Sequence, residues 1–531
     1  TAADAAVAAG FALAVVLPRA GNVGGGGFAV LRTADGAVSS LDFREVAPQA
    51  ATAALYLDEA GAYVSELSKV GHLAAGVPGS VAGLIALHER HGRLPLASLV
   101  QPAIDLAAAG FLLSARQARR FNLFRDDFAP DRAATGYFTR ADGARWSEGD
   151  RFVQDDLAET LTRIRDAGHD GFYSGRTADL VVASMQAHGG IMSHEDLASY
   201  EPVWRDPVTF VYRGHRIISM APPSSGGVAL AQLFGSVEPY SLRSLGWLSP
   251  AMMHLSAEAM RRAYADRATW LGDPAFADVP TDALMHQRYI RGRMASFRFD
   301  AITPSATLSH GTPAGVEPVP SLVPAHESPE TTHYSVVDAD GFAISLTTTI
   351  NDSFGAKVAV AGAGFLLNDE MDDFAAKPGT PNLYGLVGAE ANKIEPGKRM
   401  LSSMTPTIIE DPQGRLRLVL GSPGGARIIT AVFETALGVI DFEMGIQDAI
   451  AAPRFHHQWK PNDRLLLELD RVPASTVESL AERGWEIREF GSYTAVHAIE
   501  LRYADDGTVT LHPGVDPRRE GASRQVERRA E

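Results

Sequence analysis

The sequence predicts a layered protein of mixed α and β structure, and three observations carry that prediction. Runs with helical spacing at 2–16, 81–91, 96–109 and 252–271 alternate with short strand-like runs at 28–31, 39–43 and 204–220. Beyond residue 331 the texture turns strand-rich, with a helix opening only after Gly421. The composition, 45% hydrophobic and 21% charged over 531 residues, supplies an ample core. Such a length suits two to four domain-sized units or one large layered unit.

The first element is an alanine-rich helix over 2–16, ended by Pro18. Thr1 opens inside it, so the natural N-terminus is expected upstream, and no signal peptide is visible. Four glycines at 24–27 follow. They suit a phosphate cradle or a tight turn beneath a site, and the absence of a Gly-Lys-Ser/Thr ending and of GxGxxG spacing disfavours the cradle. Arg44 follows the second strand, where it can grip a carboxylate bidentately or form a structural ion pair with a nearby acid. His88 and His91 are one residue short of the spacing of two zinc ligands on a helix. The turn-rich loop 222–227 precedes another helix.

Residues 301–329 lose all periodicity and read as a flexible linker, either between domains or before a cleavage junction. It runs up to Glu330-Thr331, a loop-to-strand junction. The turn Asp338-Ala339-Asp340-Gly341 then leads to a second strand over 342–349. Thr349 and Asn351, two apart on a predicted strand, are expected to face the same way. Segment 377–385 is turn-rich, as a mobile loop would be, and Gly421-Ser422-Pro423-Gly424-Gly425-Ala426-Arg427 opens a helix to about residue 440. His456 and His457 are adjacent, so they point to opposite faces of a strand and read as structural rather than as a metal pair.

The net charge of -16 and pI near 5.5 argue against a nucleic-acid partner. The absence of cysteine excludes disulfides, cysteine-ligated zinc, iron–sulfur clusters and a cysteine nucleophile. No apolar run reaches the roughly 20 residues of a membrane span.

Five motifs in order, Thr331-Thr332-His333-Tyr334, Thr349-Ile350-Asn351, Met371-Asp372-Asp373-Phe374, Leu401-Ser402-Ser403-Met404 and Gly421-Ser422-Pro423-Gly424-Gly425, resemble the γ-glutamyltranspeptidases (glutathione hydrolases) of the N-terminal-nucleophile hydrolase superfamily. Upstream, Asp42-Phe43-Arg44-Glu45, the glycine run, 222–227 and 264–271 agree with that family's large subunit.

The resemblance implies a four-layer αββα sandwich that cuts itself between Glu330 and Thr331. The products are a large subunit, 1–330, whose tail 301–330 must swing away, and a small subunit, 331–531, joined as a heterodimer. Thr331 is implied as the nucleophile, hydrogen-bonded by Thr349, with Gly424 and Gly425 as the oxyanion hole. Arg44, Ser402 and Ser403 would hold the glutamyl α-carboxylate. Asn351, Glu370 and Asp373 would hold its ammonium, and Tyr384 in a lid over 378–388 would gate the site. No cofactor or metal is implied. Substrates would be glutathione, other γ-glutamyl amides, and amino-acid or dipeptide acceptors, in the periplasm or outside the cell. A glutaryl or cephalosporin acylase on the same fold and an uncleaved, non-catalytic homologue are the alternatives.

Overall fold

The computed structural model describes residues 1–317, 330–375, 390–491 and 494–526. Its principal strands, in chain order, are β1 (Gly26–Arg32), β2 (Val38–Phe43), β3 (Val203–Arg205), β4 (Val208–Tyr212), β5 (His215–Ser219), β6 (Thr332–Val337), β7 (Ala343–Thr349), β8 (Thr407–Glu410), β9 (Leu416–Gly421), β10 (His497–Tyr503) and β11 (Val509–Val515). They form two antiparallel sheets, in the orders β3-β2-β1-β7-β6 and β11-β10-β9-β8-β5-β4. The helices that cover them include α1 (Ala2–Val16), α2 (Ser80–His91), α3 (Leu96–Ala109), α4 (Ala115–Leu123), α5 (Asp155–Ala167), α6 (Gly175–His188), α7 (Gly226–Val237), α8 (Pro250–Trp270) and α9 (Arg427–Ile440).

Strand periodicity explains the layering. Alternate side chains of β1 point to opposite faces. Ala29 and Leu31 join a core with α1, α2, α3, α5 and α6, whereas Phe28 and Val30 join the core shared with the second sheet. A strand buried on both faces needs an unbroken apolar run, which 28–31 supplies. Ile217 and Ile218 of β5 and Leu418 and Val419 of β9 share one core with Leu230, Leu233 and Phe234 of α7, Met260 of α8 and Ile429 and Phe433 of α9, and because neighbours on a strand point to opposite faces this core spans both faces of the second sheet. The order is therefore helix, sheet, sheet, helix, the αββα sandwich expected from the sequence.

Observed boundaries follow local chemistry. Asp4 closes a capping box with Thr1 at the start of α1. Ser249 caps α8, and Pro250 occupies its first turn. The helix expected over 96–109 is observed at Leu96–Ala109 and ends at Gly110 (φ 70°), after which Phe111–Leu112 pairs with Arg151–Phe152. Both sheets combine strands from before and after residue 330, which meet at the β1–β7 pair in one sheet and the β5–β8 pair in the other. Residues 301–317 form no helix or strand, yet Ser305 donates its N–H to Asp463 (2.8 Å) and Trp459 donates to the Leu308 carbonyl (3.0 Å). Among the described residues no helix is long and apolar enough to cross a membrane.

Candidate active site

Thr331 stands immediately before β6 and is buried. The β6–β7 register pairs Thr332 with Thr348, which sets Thr331 opposite Thr349. In this uncut chain the Thr331 hydroxyl donates to the Glu330 carbonyl oxygen at 2.6 Å. The Thr349 hydroxyl donates to the same oxygen at 3.1 Å, and accepts from the Asn351 N–H at 2.8 Å. Two hydroxyls thus converge on one peptide carbonyl. The expectation that Asn351 lies on the strand beside Thr349 is corrected: β7 stops at Thr349, and Asn351 has a left-handed φ of 70°. The turn sends its amide to the Asp369 carbonyl (2.9 Å), so strand alternation no longer applies.

The Asn351–Asp369 bond leads to a second cluster. Arg44, fully buried after β2, donates to the carboxylates of Glu370 and Asp373, which share a short 3₁₀ turn. Glu45 lies 3.6 Å from the same guanidinium, and the Met400 and Leu401 carbonyls accept from it at 3.3 Å. Both sequence readings of Arg44 meet here, since it is paired with acids inside the pocket where the resemblance puts substrate binding. Burial, against the pull of Arg44, pushes Glu45 up to about 8 and Asp373 up to about 6, and raises Glu370 well above the usual carboxylate range. The guanidinium stays charged. Glu45 Oε1 and Oε2, Glu370 Oε2, Asp373 Oδ1 and Ser403 Oγ have no hydrogen-bond partner among the described residues. Buried acceptors and a hydroxyl in this state suit a polar ligand carrying an ammonium group.

The supporting shell comes from segments distant in sequence. Ser402 donates its N–H to the Pro223 carbonyl (3.0 Å). The Ser402 carbonyl accepts from the N–H and hydroxyl of Ser225 (2.7 and 2.8 Å), and Arg267 of α8 donates to that hydroxyl (2.8 Å). Loop 222–227 therefore braces the serine pair. The glycine run lies against the end of β7: a Cβ on Gly25 would stand 2.0 Å from the Thr349 carbonyl oxygen. That is the tight-turn reading of the run. Gly424 and Gly425 carry φ values of 136° and 56° between β9 and α9, and Tyr264 donates to the neighbouring Ala426 carbonyl. β9 ends at Gly421, whose Cα faces the His333 ring on β6. His456 bonds Thr430 and Gln458, whereas His457 bonds the Arg464 carbonyl, so the adjacent histidines serve different partners. Tyr384 and segment 378–388 lie outside the described residues.

Sequence reasoning missed two groups. Glu45 was seen only as part of a motif, although its carboxylate faces Arg44. The second is a cradle around Glu330. Its carboxylate is buried between Arg19, just after α1, Arg519 near the C-terminus (2.8 Å) and Arg120 of α4 (3.5 Å). These guanidiniums hold the Glu330 carboxyl below its ordinary range despite burial. A run such as Arg116-Gln117-Ala118-Arg119-Arg120 reads as a solvated helix face, so only tertiary placement could reveal its role.

The γ-glutamyltranspeptidase family model matches residues 1–526. A glutathione hydrolase proenzyme of Pseudomonas sp. (strain A14) is 48% identical over 86% of this chain and 78% of that protein. A glutathione hydrolase proenzyme of Pseudomonas aeruginosa is 43% identical over 98% of this chain and 89% of that protein. In structure, a cephalosporin acylase from Bacillus halodurans superposes with a TM-score of 0.83 at 25% identity, over 97% of this chain and 90% of that one. With a match of this extent lying over both hydroxyl and ionic clusters, the chain belongs to the γ-glutamyltranspeptidase family.

Proposed function

We propose that the chain is the precursor of a γ-glutamyl hydrolase and transferase with Thr331 as nucleophile. The observation that carries this reading is the pair of hydroxyls, Thr331 and Thr349, on the Glu330 carbonyl. Thr331 Oγ attacks that carbonyl carbon, with Thr349 donating to the developing oxyanion. The C–N bond breaks, an ester forms, and the nitrogen becomes a free α-amine. Water then hydrolyses the ester, leaving the Glu330 carboxylate and a free Thr331 hydroxyl. The new amine, with an ordinary pKa of about 7.7–8.0, takes the Thr331 proton in later turnovers. A γ-glutamyl amide acylates Thr331, releasing its amine, and water or an acceptor amine takes the acyl group. Gly424 and Gly425 N–H groups steady the oxyanion in those steps, and Tyr384 gates the pocket.

The ionic cluster supports the choice of acyl group. The substrate α-carboxylate meets Arg44, Ser402 and Ser403, while its ammonium meets Asn351, Glu370 and Asp373. The zwitterion then exchanges internal ion pairs for its own, and the charge balance of the buried pocket is kept. A glutaryl acylase has no ammonium to engage Glu370 and Asp373. Glutathione, other γ-glutamyl amides and small amine acceptors are the substrates on this reading. The cut parts, 1–330 and 331–531, remain a heterodimer, and a periplasmic or extracellular location suits a chain with no cysteine to oxidise.

The test uses a chromogenic γ-glutamyl anilide. Wild type should be self-cut and active, and Thr331→Ala uncut and inactive. Asp373→Asn should raise KM about 10–100-fold, the range of one charge-assisted hydrogen bond. Full activity in Thr331→Ala, or an unchanged KM in Asp373→Asn, overturns the corresponding half of the reading.

A further inference from the structure

We propose that the arginine cradle holding Glu330 in the uncut chain becomes, after the cut, a subsite for the carboxylate of the acceptor. The inference rests on Thr331 being the nucleophile. In the uncut chain one carboxylate is shared by Arg19, Arg519 and Arg120, with Arg116 close enough to feel it. Glu330 is 5% exposed and Arg519 7%, so this is an enclosed anion site rather than a surface charge patch. It is also fixed relative to the chemistry, because the residue whose side chain fills it donates the carbonyl that both catalytic hydroxyls touch. The cradle therefore lies one side-chain length from the reacting carbon.

Cleavage turns Glu330 into a chain end. If it withdraws with the tail, the arginines keep their positions but lose the carboxylate they share. Largely buried guanidiniums crowded together in that way favour a new anion. The acyl group of a γ-glutamyl donor is accounted for by the separate Arg44 pocket. What remains on the cradle side is the amine partner, either the leaving peptide or the incoming acceptor. An amino acid or dipeptide brings a carboxylate at about the reach of a glutamate side chain, and an arginine fork matches it bidentately. The cradle draws on α4 and the turn after α1 from one fragment and on the C-terminal segment from the other, so it exists only while both fragments are associated.

The experiment compares two acceptors on purified, self-cut wild type, with a γ-glutamyl anilide as donor: glycylglycine and its neutral C-terminal amide. Release of the aniline without acceptor reports on the nucleophile independently. The expected result is a KM for glycylglycine lower than for the amide by on the order of tenfold, with the ratio collapsing towards one in Arg19→Gln. Should Arg19→Gln fail to self-cut, Arg120→Gln, the most exposed member of the cradle, replaces it, and the wild-type ratio decides in any case. Equal KM values for the two acceptors in an enzyme that still hydrolyses the anilide overturn the subsite while leaving the nucleophile standing. A ratio that survives in a cut arginine variant overturns it as well. No anilide hydrolysis at all would instead strike the reading on which the subsite rests.

Discussion

At the residue scale, the pocket around Arg44 crowds three carboxylates against one guanidinium. Glu45 carries the clearest consequence. Burial raises it to about 8 from an ordinary value of 4.5. Between those values the folded chain holds a proton that the unfolded chain has released. Stability therefore falls as pH rises through this window, and the loss is complete above about pH 8. Glutamine at this position does not titrate. The Tm of Glu45→Gln relative to wild type should therefore climb between pH 5 and pH 8, and a pH-independent difference by calorimetry would contradict the assignment. Residues with a motif around them, such as Thr331, Thr349, Glu370 and Asp373, were legible in the sequence, because a motif fixes residue identity at fixed spacing. Glu45 and Glu330 were not recognised as parts of ion clusters. Their partners lie hundreds of positions away, as with Glu330 and Arg19, or next door, as with Glu45 and Arg44, where adjacency alone says nothing of burial.

At the scale of elements, alternation and spacing predicted most helices and strands, because burial writes a period into each one. β1 shows this directly, with Phe28 and Val30 serving one core and Ala29 and Leu31 the other. The pattern failed where backbone conformation breaks the period. The left-handed Asn351, just past Thr349, ends the reach of β7. The glycine run was legible as a tight turn, but its closeness to the end of β7 was not, since nothing in four glycines names the facing atom. That contact makes Gly25→Ala informative. The added Cβ would meet a backbone carbonyl at 2.0 Å, so β1 and the end of β7 must separate. The expected cost is about 1–3 kcal/mol, a fall of about 1–3 °C in Tm for a chain of this length, with slower self-cleavage because Thr349 moves. An unchanged Tm and cleavage rate would show that the two backbones are not packed this closely.

At the scale of the whole molecule, the αββα layering places the 330–331 bond at the edge strand of one sheet, while strands from both sides of that bond run through both sheets. Two cores shared in this way hold fragments together without a covalent link, as hydrophobic burial does not depend on chain continuity. The layer order followed from the family resemblance rather than from periodicity, because a strand's pattern records that it is buried, not which sheet covers it. Self-cleavage next to the nucleophile is the claim on which the rest depends. It is tested most directly by intact-mass and N-terminal analysis of the purified wild-type protein, with size exclusion beforehand and a denaturing gel alongside. One peak in size exclusion, two bands on the gel, and a smaller fragment that begins at Thr331 are expected. A single band near 56.7 kDa in an active preparation, or a fragment that begins at any other residue, would contradict it.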